Sequence, residues 1–140
     1  MTLHELRRWL SANHVNENAI RVGPSWPFLV DGHAVVQEGE HYLFFYVARG
    51  ERSHIEHFDQ EAQVCERALA HLSGDRWAFA HLVGLFPTHA EALALRARLA
   101  AAGIDVHSDQ IPYGGPDDMR YRVFTFGVDV VRAEAVLRDG

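Results

Sequence analysis

The densest group of chemically capable side chains is His54-Ile55-Glu56-His57, in a chain with ten histidines and nineteen Asp and Glu residues. Imidazoles and a carboxylate at this spacing suggest a metal site, which needs about three or four ligands converging at about 2.0–2.1 Å for histidine nitrogen. On a regular strand His54 and Glu56 face one way and His57 the other, so convergence demands a bulge. The remaining histidines are scattered. No metal and no cofactor is expected. Cys65 is the only cysteine, which excludes an intrachain disulfide and a cysteine-rich zinc site. It falls on the apolar stripe of a helical segment, where a thiolate gains no activation. The sequence contains no Gly-x-Ser-x-Gly elbow and no Walker loop. Gly114-Gly115-Pro116 is too short to cradle a phosphate, and Asp117 and Asp118 behind it would repel one. Those paired acids could serve acid–base chemistry, but in a Gly/Pro loop they read as a solvated turn. No catalytic residue, and no enzyme activity, is expected.

The elements that must position these groups follow from periodicity. Thr2-Leu3-His4-Glu5 is a capping box opening a helix to about Ala12, with Leu3, Leu6 and Leu10 on one face. Residues 13–27 read as a polar connection whose two prolines exclude helix. Strands are expected at Phe28–Val30, Ala34–Gln37, His41–Ala48 and Arg52–Phe58, separated by Gly-containing turns. Tyr42, Phe44, Tyr46 and Ala48 share one face of their strand and Leu43, Phe45 and Val47 the other, which predicts a central strand covered on both sides. Asp59 is placed to cap a helix to about Leu72 with Ala62, Cys65, Leu69 and Leu72 inside, ended by Ser73-Gly74. The rest reads β-α-β-β-α: Trp77–Phe86, a helix capped by Thr88 and ending at Gly103, Ile104–Ile111, Arg120–Phe126, and a helix capped by Asp129 that buries Val130, Ala133 and Leu137. The order predicts an α+β protein. An N-terminal helix, a small antiparallel sheet and a helix fill residues 1–74, and a ferredoxin-like β-α-β-β-α half fills residues 75–140.

Length fits one domain or two small halves. The net charge is −6 with histidines neutral, about −4 through Gly74 and about −2 after it by residue count. Acidity in both halves disfavours nucleic acid, whose binders rely on a basic excess. No apolar run reaches the roughly 20 residues of a membrane span, and Met1–Leu10 is not a signal peptide. A cytoplasmic location and no membrane partner are therefore expected. The acids Glu38, Glu40, Asp109, Asp117 and Asp118 cluster in and near turns with the aromatic Tyr113. Aromatic anchors within an acidic rim suit capture of a basic protein, so these six are the candidate partner-binding residues.

The run Tyr42-Leu43-Phe44-Phe45-Tyr46-Val47-Ala48-Arg49-Gly50, followed by Phe58 and a Cys65-bearing helix, resembles a pattern in the immunity proteins of bacterial polymorphic toxin systems. Gly103-Ile104, Asp109-Gln110-Ile111-Pro112-Tyr113-Gly114, Arg120-Tyr121-Arg122-Val123-Phe124 and Gly127-Val128-Asp129 resemble the C-terminal half of that group. The resemblance implies a cytoplasmic inhibitor that occludes the active site of a cognate secreted toxin. Some immunity proteins of this general kind look similar to those that guard against NAD-consuming toxins. The β-α-β-β-α half also resembles the sporulation-related repeat, which implies glycan binding as the alternative to a toxin partner.

Overall fold

A computed structural model describes residues 1–139, which form four α-helices and seven strands in the order α1 (Leu3–Ala12), β1 (Ile20–Val22), β2 (Asp31–Glu38), β3 (His41–Ala48), β4 (Glu51–Phe58), α2 (Glu61–Ser73), β5 (Ala80–Phe86), α3 (His89–Ala101), β6 (His107–Pro112), β7 (Met119–Phe126) and α4 (Asp129–Arg138). The protein is α+β. Two compact units divide between Phe79 and Ala80, beyond the expected boundary at Gly74. The reason is local: Arg76–Phe79 is a 3-10 turn rather than the start of a strand, and Ala78 and Phe79 pack into the first unit's core.

In the first unit the capping box forms as expected. Thr2 Oγ1 accepts from the Glu5 N–H at 3.1 Å, and the Glu5 carboxylate accepts from the Thr2 N–H at 3.1 Å. The strands order as β1-β2-β3-β4. The three long strands are antiparallel, with Val35 opposite Phe44 and Phe44 opposite Glu56. One core lies under α1 and α2, where Leu6, Phe44, Val64, Cys65 and Ala68 are buried. The other lies on the opposite face, where Ala34, Val36, Leu43, Phe45 and Val47 are covered by Leu29 and Trp26. Strand β3 is thus central and doubly covered, as its alternation predicts.

Four expectations fail here. Phe28–Val30 is not a strand: Trp26–Phe28 forms a 3-10 turn that straps Leu29 and Trp26 over Phe45, and β2 begins at Asp31. The missing strand is β1, which pairs parallel with β2 through Ile20–His33 and Val22–Val35. Asp59 does not cap α2; Gln60 is its N-cap and makes no side-chain bond there. Last, the buried stripe of α2 is Val64, Cys65, Ala68 and Leu72, a rotation that exposes Ala62.

In the second unit the sheet order is β5-β7-β6, antiparallel at both joints, so the last strand in sequence lies between the other two. This is a split β-α-β arrangement. Helices α3 and α4 pack on one face around Leu95, Leu99, Val123 and Ala133. Thr88 caps α3 through the Glu91 N–H at 3.3 Å, and Gly103 follows the helix at φ +75°. Val128 rather than Asp129 is the N-cap of α4, and Val136 rather than the exposed Leu137 packs on the core.

Gly32 holds β1 in place. A Cβ there would lie 2.5 Å from the Asn18 carbonyl oxygen and 2.9 Å from that of Ala19, and neither backbone atom has room to retreat. Gly32→Ala is therefore expected to cost about 1–3 kcal/mol in denaturant unfolding by forcing β1 away from β2. An unchanged midpoint would contradict the close approach.

Candidate functional site

The histidine-rich segment lies in β4 and carries the bulge that convergence would require. The pairs Phe44–Glu56 and Tyr46–Ser53 leave His54 and Ile55 together opposite Phe45, with His54 at φ +53°. The bulge places Ser53 and Glu56 on the face under α2, and Arg52 and His57 on the other. Glu56 then accepts from Arg67 Nε at 2.9 Å, and the His54 ring lies 3.1 Å from Ser53 Oγ. The expected pairing of His54 with Glu56 on one face is overturned, because regular alternation does not survive the extra residue. Among the described residues no three His, Cys, Asp or Glu side chains are placed to hold a metal ion.

Two other histidines meet under α2, which spacing alone did not reveal. His33 of β2 and His71 of α2 have ring centroids 4.0 Å apart, and His33 stacks on Phe44 at 5.1 Å. Burial between sheet and helix pushes the His33 pKa down to about 4, helped by the His71 charge and by Arg67, against the opposite pull of Asp75 and Glu56. Cys65 is fully buried, and burial raises its thiol pKa, with Glu61 adding in the same direction. It is a core residue.

The six candidate partner-binding residues fall into two groups. Glu38 and Glu40 lie at the β2–β3 hairpin of the first unit. Glu38 is committed to Arg52 at 2.7 Å, whose guanidinium also lies over Trp26 at 5.4 Å, whereas Glu40 is exposed. Asp109, Tyr113, Asp117 and Asp118 lie on β6 and the β6–β7 loop of the second unit. Asp109 accepts twice from Arg122, at 2.7 Å from Nε and 2.7 Å from the terminal nitrogen. Those bonds hold its carboxyl below the usual range and raise the guanidinium. Asp118 pairs with Arg120, and Arg120 lies over the Tyr113 ring at 5.0 Å.

This loop is ordered by its own bonds. The Gly114 N–H donates to the Asp118 carbonyl at 3.2 Å and the Asp118 N–H to the Gly115 carbonyl at 3.1 Å. Gly115 adopts φ +110°, and a Cβ at Gly114 would strike the Asp118 carboxylate. The result displays Tyr113, 63% exposed, and leaves Asp117 of the same loop exposed. Trp26, Tyr42 and Tyr121 are partly buried instead.

A groove of about 300 Å³ runs behind the same strand, lined by His89, Ala92, Leu93 and Arg96 of α3, Ser108, Asp109 and Gln110 of β6, and Tyr121 of β7. Arg96 donates to Ser108 Oγ at 3.0 Å, and the His89 ring stacks on Tyr121 at 5.3 Å. The sequence did carry a signal for the helix wall, since 89, 92, 93 and 96 share one helical face.

No protein family, no curated protein and no solved structure matches the chain.

Two outcomes follow from the electrostatics. An unfolded His33 titrates near 6.5 and the folded one near 4, so protons favour the unfolded chain. The stability that neutral His33 allows is complete above pH 6.5 and lost as pH falls toward 4. Melting at pH 5 against pH 7.5 is expected to show a loss on the order of 1 kcal/mol, after allowance for its partial exposure, and His33→Gln is expected to flatten the slope. Cys65 is expected to resist alkylation in the native protein and to react on unfolding; rapid native labelling would contradict its burial.

Proposed function

We propose that this protein is an immunity-type inhibitor, a cytoplasmic protein that binds a toxin domain and covers its active site without chemistry of its own. The resemblance of the Tyr42–Gly50 segment and of the C-terminal half to such proteins names the class. One observation carries the reading: Tyr113 stands out on a loop already closed by two backbone bonds and the Asp118–Arg120 pair. A pre-ordered aromatic loses little freedom on binding, which is what an anchor at an interface centre requires. Asp117 of the same loop is exposed and has no ion-pair partner among the described residues. It remains available to a basic side chain of the partner, and the overall charge of −6 speeds approach of a basic surface. Asp109 and Asp118, by contrast, act through the arginines they hold and keep the loop in shape. Glu38 serves its own hairpin in the same way, and Glu40 is free to add charge.

The supporting geometry is the ordered hairpin tip between β6 and β7 of the second unit, offered as the centre of a standard interface of about 1,600 Å². The toxin's chemistry, including NAD consumption, is left to the partner.

Co-expression with the product of the neighbouring gene, in a host that this product poisons, tests the reading. The wild-type chain is expected to restore growth and to co-purify. Tyr113→Ala is expected to weaken the complex by about 2 kcal/mol or more, and Asp117→Arg to slow association. Full protection by both variants would remove the loop from the interface, and growth arrest with wild type would remove the function.

A further inference from the structure

The groove between α3 and β6 has the construction of a strand-acceptor site. We propose that it takes an extended segment of a partner protein, which adds beside β6 as a fourth strand and places a carboxylate on Arg96. This inference does not depend on the toxin reading or on Tyr113.

Three observations carry it. First, among the described residues β6 is an edge strand that pairs with β7 alone. In an antiparallel ladder alternate residues turn their N–H and C=O groups away from the neighbour, so β6 presents the backbone donors and acceptors of every second residue outward. Exposed edges are ordinarily blunted by lysine, by proline or by an inward charge. Here Pro112 occupies only the final position, and the Asp109 charge is already neutralised by Arg122. Second, a wall stands alongside. His89, Ala92, Leu93 and Arg96 form a single stripe of α3 facing the strand, and Leu93 is 47% exposed, an apolar contact for alternate side chains of an added strand. Third, the charge is unbalanced. Arg96 meets the neutral hydroxyl of Ser108, and among the described residues no carboxylate lies within ion-pair distance of it. In a protein of net charge −6 this groove carries an uncompensated cation. An occupant with an acidic side chain or a free C-terminus supplies the missing partner.

Random heptapeptides with free C-termini, panned against the full chain, provide the probe. Enriched peptides are expected to be β-prone and to carry Asp, Glu or a required terminal carboxylate. Added to labelled protein, they are expected to shift the amide resonances of Ser108, Asp109, Gln110 and Leu93. Methylating alternate peptide nitrogens is expected to lower affinity by about tenfold, as is Arg96→Glu, while Arg138→Glu, the same charge change on α4, leaves it unaltered. The variants' melting temperatures confirm that the fold persists. Failure to enrich any peptide, shifts confined to other residues, or binding that survives Arg96→Glu would overturn the proposal. Growth protection by the same Arg96→Glu chain would leave the toxin reading standing, so the two ideas fail separately.

Discussion

Strand β3 places Phe44 on one face and Phe45 on the other, both essentially inaccessible to water. Burying large apolar side chains is worth about 1.5–3 kcal/mol each, and only if both faces are sealed at once. That requirement shapes the first unit. Helices α1 and α2 close one side. On the other, within the first unit, the Trp26–Leu29 strap closes it with an edge-to-face contact of Trp26 on Phe45 at 5.3 Å and the Arg52 guanidinium laid across both rings. Glu38 is drawn into the same arrangement through Arg52, which is why an acid that looks available in sequence is occupied in the fold.

Much of this was legible in the sequence because period and capping are local. The Thr2–Glu5 box, the doubly apolar β3, the Thr88 cap and the β-α-β-β-α order all rest on residues within a turn or two of one another. What was not legible depends on distant partners. Ile20–Val22 becomes a strand because β2 offers a free edge and Gly32 lets the chain come close. Phe28–Val30 has strand-forming residues, but the Phe28 and Leu29 N–H groups turn back to the Ser25 and Trp26 carbonyls, so only Leu29 reaches the core and Val30 keeps a single bond, from the Arg49 N–H. The rotation of α2 is a tertiary outcome: Val64 and Ala68 enter the core with Cys65 and Leu72, Leu69 packs at its margin, and Ala62 turns out.

The candidate site divides the same way. Composition pointed to the β6–β7 loop, and the loop does display Tyr113 and Asp117. Charge counting treated Asp109, Asp118 and Glu38 as equals of Asp117, but each has an arginine within reach in the fold. A carboxylate that holds a guanidinium in place is part of the scaffold, and its removal disturbs geometry before it disturbs recognition. The groove behind β6 escaped notice because its two walls are distant in sequence and its cation is conspicuous only once its neighbours are known.

The β5-β7-β6 order has a consequence for the nascent chain. Residues 80–112 supply two strands and a helix, but those strands never pair with each other, because β7 lies between them. Until Met119–Phe126 has left the ribosome, the second unit has no sheet, and Val83, Leu95 and Leu99 have no strand β7 to rest on. The first unit, complete by Phe79, has no such wait. The sheet of the second unit therefore closes only when Met119–Phe126 enters between two strands made before it.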